Sequence, residues 1–509
     1  MEKSQHNKLK IVVIGLDGAT WDIINSMDRR KELPNISRLM ENGSYGICEA
    51  PPPLISPVLW TSISTGKLPD KHGIKDFWAT AKTRRCKTIW DILEQQGVAI
   101  GVFGHFTTWP PKKVNGFIVP NLFTARGTET YPPELGFLSQ LEVKTREGKK
   151  TPLAHYLRYA LLCRQFGVSV RTLSLGARLL IGKLSRLSDE RKDFFWQRVF
   201  RQEMQSDVFV YLSKRYQPGY SFFHMHLLDA CSHYFWKYRE PELFDGLPQR
   251  EIEKYKNVIS EAYKKADATL GKILLEIDDR SIVLVVSDHG FCAVGKEFKY
   301  RKRIKFEPLL KVLGIENEAR GINLGAKAVI RILDTANEQK IMDLLKNVTV
   351  KETGEKLFQV EKEGHDNISL RFNPAVEEST FEQDMHMRCS GTARKLQEFI
   401  ARNPDRLTGT HHPSGMFILS GPNIKKGLSA PAIRNIDLVP TLLTLVGVPV
   451  GQDMDGQVIT GIIEEQFLNE SPPAYIPTYD GEPSGGHLDA EEGEDSDLLR
   501  QQLKSLGYL

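Results

Sequence analysis

The sequence predicts an α/β fold, with a mostly parallel central sheet covered by helices on both faces and carrying inserted cap segments. Two observations lead there. Short apolar runs rich in β-branched residues recur along the chain, and helical stretches lie between them. Residues 10–16 form the first run and close in Asp17-Gly18; residues 98–103, 221–228, 281–287 and 416–420 repeat the pattern. A strand that is apolar throughout, rather than alternating, is buried on both faces, as parallel strands are. Helices are expected over roughly 35–42, 88–96, 251–277 and 437–446. Alternation of strand and helix implies a parallel sheet. In such sheets ligands collect at the carboxyl ends of the strands.

Two segments break the rhythm, so the core is read in three parts, 8–124, 206–294 and 406–475. A helical, basic insertion covers 125–205, and a mixed, charge-rich one covers 295–405. Residues 476–509 read as a solvated tail rich in Gly, Asp and Glu, with a last short helix over 497–506.

Composition excludes several classes. With 40% hydrophobic and 26% charged residues, the 509-residue chain is globular rather than fibrous or disordered. A net charge of +4 is too small to argue for a nucleic-acid partner. No apolar run approaches the ~20 residues of a spanning helix. The polar N-terminus leads straight into a strand, and the six cysteines form no CxxC pair. Both suit a cytoplasmic protein with reduced thiols. Charge is unevenly placed, however. Residues 148–188 contain no Asp or Glu, while Lys149, Lys150, Arg158, Arg164, Arg171, Arg178, Lys183 and Arg186 fall within them. Leu173, Leu180, Leu184 and Leu187 share one helical face there. Contact with a membrane surface is one reading. The preferred reading is a cap helix that packs its apolar face on the core.

Polar residues gather where strands end. Asp17 follows the first run, Asp229 the third with His233 four residues on, and Asp288-His289 the fourth; His411-His412 precede the last. Carboxylate and imidazole are the ligand types of zinc and related ions. Each pattern alone is commonplace, since Asp-Gly is usually a turn and Asp-x-x-x-His is more often a surface pair. Their conjunction at strand ends carries the case. Ser56-Pro57 adds a hydroxyl at a predicted helix start, where Ser is a favoured N-cap and Pro suits the first turn. The same position lies in positive potential that favours an oxyanion or a bound phosphate. Trp60, Thr107, Thr108 and Trp109 are candidates either for a leaving-group pocket or for ordinary core.

The chain resembles the alkaline phosphatase superfamily, and most closely its type I phosphodiesterase/nucleotide pyrophosphatase branch. The residues that carry the resemblance begin with Ile11-Val-Val-Ile-Gly-Leu-Asp-Gly and the stretch from Ser56 to Gly73. They continue through Leu228-Asp-Ala-Cys-Ser-His, Val286-Ser-Asp-His-Gly and Gly409-Thr-His-His-Pro-Ser-Gly to Asp453-Met-Asp-Gly. The resemblance implies a hydrolase of phosphate esters with two divalent ions, Zn²⁺ being expected and Mn²⁺ also suited to mixed Asp/His sites. Asp229, His233 and His411 would hold one ion. Asp17, Asp288 and His289 would hold the other, with the catalytic Ser56 between them as nucleophile and ligand. His411 is preferred to His412 because its spacing to Gly415 fits the family, and His72 reads as structural. Ser56 would attack phosphorus in line to give a phosphoserine, which water then hydrolyses from the other side.

Two departures narrow the reading. Leu59 stands where nucleotide pyrophosphatases place an Asn that helps hold a phosphate oxygen, which weakens the case for nucleotide substrates. Pro57 follows Ser56 directly and no Arg follows at the sulfatase spacing, which argues against a sulfatase. The partner expected is a small phosphorylated substrate, with diesters favoured over monoesters. The alternatives are a phosphomutase of the same superfamily and a metal-binding pseudoenzyme without turnover.

Overall fold

The structure, a computed structural model, describes residues 9–121, 127–139, 153–185, 189–295, 302–324, 327–363, 367–373, 375–376, 380, 384–389, 391–402 and 407–481. The chain divides into two compact units. The first is Met1–Ser232, Asn257–Phe291 and His411–Leu499; the second includes His233–Lys256 and Cys292–Thr410. The helix expected over 497–506 lies outside the described residues.

The central sheet of the first unit has nine strands among the described residues, the α/β architecture expected. They are β1 (Ile11–Leu16), β2 (Gly43–Glu49), β3 (Ile100–Phe103), β4 (Gly116–Val119), β5 (Tyr220–Met225), β6 (Ile282–Val286), β7 (Ser414–Ser420), β8 (Leu428–Ser429) and β9 (Ile433–Arg434). Their order is β8-β2-β7-β6-β1-β5-β3-β4, with β9 also pairing β2. β1 pairs in parallel with β5 and β6, and β3 in parallel with β5 and β4. β7 is antiparallel to both β6 and β2, so it alone runs against the rest. Every residue of β1, β5 and β6 is buried, as strands covered on both faces must be.

The register fixes where chemistry can collect. Leu16 lies opposite Met225, Gly15 opposite Val286, and Phe417 of the reversed β7 opposite Val286. The carboxyl ends of β1, β5 and β6 therefore share one sheet edge with the start of β7.

The Ser56–Thr65 helix packs over that edge. A Cβ on Gly15 would lie 2.6 Å from the Trp60 ring, so only glycine lets the helix sit this close to β1. All ten residues of the helix are buried. Its hydroxyls are tolerated there because they bond back into the helix: Thr61 Oγ1 donates to the Pro57 carbonyl (2.7 Å) and Thr65 Oγ1 to that of Thr61 (2.8 Å). Gly66, at φ 68°, ends the helix in the left-handed region. Its carbonyl accepts from Asp455 N and Gly456 N, while the buried Lys67 pairs with Asp453 and with Asp480 (2.6 Å). The Asp453-Met-Asp-Gly motif thus clasps the far end of this helix.

Several expectations needed correction. Ser56 is the first helical residue and Pro57 the second; the N-cap is Ile55, whose aliphatic side chain can accept no capping bond. The third run stops at Met225, and Leu227–Arg239 is already helix. The long helix expected over 251–277 is two, Gln249–Tyr255 and Val258–Leu274.

The second unit has its own core. A four-stranded antiparallel sheet runs Phe358–Glu363, Asn367–Phe372, Lys327–Ile332, Ala319–Leu324. Leu309, Leu313, Ile341, Leu345, Ile330 and Ile368, drawn from this sheet and the Phe306–Leu313 and Glu338–Lys346 helices, are buried together.

Candidate active site

Each strand end at the shared edge turns into a polar residue, and the turns are tied to one another. Beyond β1, Asp17 donates its backbone N–H to the Met225 carbonyl (3.0 Å). Gly18 follows at φ 73°, and a Cβ there would strike the Phe291 ring at 2.7 Å, so the turn requires glycine. Beyond β6, the Ser287 hydroxyl accepts from Ala19 N (2.9 Å) and donates to the His289 carbonyl (2.6 Å). That one hydroxyl locks the Asp17 loop to the Asp288-His289 loop. Beyond β5, Asp229 lies in the first turn of the Leu227–Arg239 helix, where the helix N-terminus favours a carboxylate.

These turns bring five ligand-type residues into two overlapping groups. Asp17, Asp288 and His289 offer ligand atoms within 4.8 Å of one another, all three residues being buried. Asp229, His289 and His411 do the same, so His289 belongs to both groups. His289 Nε2 stands 3.5 Å from Asp17 Oδ1 and 3.5 Å from Asp288 Oδ2. His411 Nε2 stands 3.4 Å from Asp229 Oδ1.

The tautomers follow from the opposite ring edges. His289 Nδ1 is 3.1 Å from the Gly290 carbonyl, and His411 Nδ1 is 2.9 Å from the Leu54 carbonyl. A carbonyl only accepts, so both Nδ1 atoms carry the proton and both Nε2 atoms turn a lone pair to the carboxylates. This is how a metal-ligating histidine is usually held. The Leu54 bond also ties His411 to the loop that enters the Ser56 helix two residues later. Ser56 itself is 5% exposed.

The electrostatics call for positive charge. Both oxygens of Asp288, Oδ1 of Asp17 and Nε2 of His289 are buried with no hydrogen-bond partner. Burial, and then the charges of Asp17 and Asp229, push the Asp288 carboxyl well above the carboxylate range. Burial and Asp229 also push Asp17 up, but the hydrogen bond and charge of His224, together with His289, hold it low. Burial, reinforced by His411, lowers His289 to about 3. Uncompensated buried carboxylates are costly, and a divalent cation with a carboxylate and imidazole donor set offsets that cost. The residues present fit such an ion in each group.

The other candidate residues have the following surroundings. The division between the two units falls inside the helix that carries Asp229, and His233 belongs to the second unit. There its Nδ1–H donates to the Gly409 carbonyl (3.0 Å), and it is absent from both groups. His412 is exposed and accepts from Ser414 N (3.2 Å), a turn role. His72 is fully buried between Ile74 N (3.1 Å) and the Ser62 hydroxyl (3.0 Å). Leu59, Trp60, Thr107 and Thr108 are buried, and Trp109 Nε1 donates to Glu129 (2.8 Å).

Sequence reasoning missed His224. It sits on β5, where its Nε2–H donates to Asp17 Oδ2 at 2.9 Å. The available signal was an imidazole inside a mostly apolar strand, which a buried position leaves in need of a partner.

Comparison with known proteins adds the following. The family model described as type I phosphodiesterase / nucleotide pyrophosphatase matches residues 11–401. That span holds Asp17, Ser56, Asp229, Asp288 and His289 and stops short of His411. No curated protein matches the chain. Among solved structures, murine ectonucleotide pyrophosphatase/phosphodiesterase 5 aligns at 13% identity with a TM-score of 0.47, covering 89% of this chain and 100% of that one.

Proposed function

The chain belongs to the type I phosphodiesterase/nucleotide pyrophosphatase family, and from that premise we propose that it hydrolyses small phosphoric esters, diesters before monoesters, through a phosphorylated Ser56. The observation that carries the reading is the pair of ligand groups joined by His289, with Oδ1 of Asp17 and both oxygens of Asp288 buried without a hydrogen bond. Asp17, Asp288 and His289 would hold one divalent ion and Asp229 and His411 the other, with Ser56 as a further ligand. When bound, the ions neutralise charge on the attacking and leaving oxygens and ease ionisation of a nearby hydroxyl.

The chain supplies position and potential. Ser56 stands at the positive end of a ten-residue helix, which favours its alkoxide and a bound phosphate. The Gly15–Trp60 contact holds that helix at its middle and the clasp on Gly66 at its C-terminal end. His224 aims Asp17, and the Leu54 carbonyl aims His411. In the first step Ser56 Oγ gives up its proton and bonds to phosphorus as the ester P–O bond breaks and the alcohol leaves carrying a proton. In the second, a water oxygen bonds to phosphorus as the Oγ–P bond breaks, releasing the phosphate product and returning a proton to Ser56. Removal of charge and prior alignment account for most of the acceleration in such reactions.

The test combines metal analysis of purified protein with turnover of bis-p-nitrophenyl phosphate and p-nitrophenyl phosphate. Ser56→Ala should lower turnover by about 10³-fold or more while metal content stays near wild type. Equal turnover by mutant and wild type would reject the nucleophile. Turnover that survives thorough chelation would reject the cations.

A further inference from the structure

We propose that the helix Val170–Ser185, with support from Leu153–Gln165, docks this protein onto an anionic membrane surface. The inward side of the first helix is fixed by specific contacts. Thr172 Oγ1 donates to Asp207 Oδ2 (2.7 Å), and a Cβ on Gly176 would lie 2.7 Å from the Phe200 ring. Leu173 and Leu180 are partly buried on the same side, as the amphipathic pattern predicts. Leu187 and the side chain of Leu184 lie outside the described residues.

The outward side is the unexpected part. A surface helix packed on a core should present polar residues of both signs to water. Here the exposed positions are Val170, Arg171, Ser174, Ala177, Arg178 and Ile181, one stripe at helical spacing. Val170 and Ile181 are each 65% exposed. On the preceding helix the exposed positions include Arg158, Leu161 and Arg164, with Leu161 67% exposed. No acidic residue occurs anywhere in 148–188 to neutralise these arginines.

Arginine next to exposed aliphatic side chains is the pattern of a helix lying in the bilayer interface. The guanidinium groups meet anionic headgroups while the aliphatic groups enter the acyl boundary. A nucleic acid would satisfy the arginines but offers nothing to Val170, Ile181 or Leu161. None of the described helices is long and apolar enough to cross a membrane, so the contact is peripheral.

The test uses the full-length protein in flotation with two vesicle types, pure phosphatidylcholine and phosphatidylcholine with about one third phosphatidylserine. Binding is expected to the anionic vesicles only, and to fall with added salt. Arg171→Glu/Arg178→Glu should weaken it at least tenfold, since each basic side chain at such a surface contributes about fivefold. Ile181→Asp should weaken it as well, even at low salt. Unchanged far-ultraviolet circular dichroism and melting temperature of the variants secure the fold. Failure to float with anionic vesicles would overturn the proposal. So would flotation indifferent to all three substitutions, or tight binding of an oligonucleotide with none to vesicles.

Discussion

The imidazoles of His289 and His411 stack, with ring centroids 3.6 Å apart and planes 20° from parallel. Each has its Nδ1–H committed to a carbonyl, so the stack presents two adjacent Nε2 lone pairs to three carboxylates. The two rings are not equivalent, because His289 serves both ligand groups and His411 only one. His411→Ala is therefore expected to retain close to half the wild-type metal content after dialysis, and His289→Ala close to none. Mass-spectrometric metal counting decides it; equal loss in both variants would remove the assignment of His289 to both groups.

Asp288 sits at the centre of the same repulsion. Its oxygens are buried and faced by the charges of Asp17 and Asp229. In metal-free protein the charge opposes folding; with cations bound it helps hold them. Asp288→Asn should therefore stabilise the metal-free chain, by about 1–3 kcal/mol on the scale of buried uncompensated charge. It should also abolish most of the stabilisation that added Zn²⁺ gives the wild type. Urea unfolding with and without metal measures both. A metal-free Asp288→Asn protein less stable than wild type would mean that the carboxylate is satisfied some other way.

How much of this was legible follows from where each residue sits. Asp17, Asp229, Asp288 and His411 stand just outside apolar runs, so both the strand and the polar residue that ends it could be read. β2 was not legible, because Gly-Ser-Tyr-Gly-Ile-Cys-Glu has no apolar run and gains its order from seven residues of pairing with β7. β4 is four residues long and lies near the end of the first core segment, too short to distinguish from loop. Lys67 reads as a surface lysine; its two carboxylate partners lie 386 and 413 residues away in the chain. His224 is hidden for the opposite reason, since a strand-internal imidazole announces no partner until the register places β1 beside it.

His224 acts on the site through Asp17, which makes it a positioning residue. Loss of such a support typically weakens metal binding about 10–100-fold without removing a ligand. His224→Ala should fall in that range. His224→Gln, which keeps an N–H donor near the same place, should recover most of the loss. Competition against a zinc-binding fluorophore gives the affinity of each variant. If the Ala variant matches wild type, Asp17 is oriented without the 2.9 Å bond.

The pH response of the fold itself rests on histidines outside the ligand groups. His72 is lowered to about 3 by burial and then by the Arg84 charge, and it is held neutral between Ile74 N and the Ser62 hydroxyl. His105 is lowered to about 3 chiefly by burial, its ring lying against Trp90 and Phe222. Both titrate near 6.5 in the unfolded chain, so between pH 6.5 and about 3 the unfolded state binds the extra protons. Stability is then fully present above pH 6.5 and falls as pH drops through this window, by about 1.4 kcal/mol per pH unit for each histidine. Substituting His72 by Gln removes one of these protons while keeping a donor and an acceptor. The variant should be less stable than wild type at pH 7.5, where the ring packs without strain, and the gap should narrow towards pH 5. Urea midpoints at the two values measure the slope; an identical slope in the variant would show that His72 does not contribute to it.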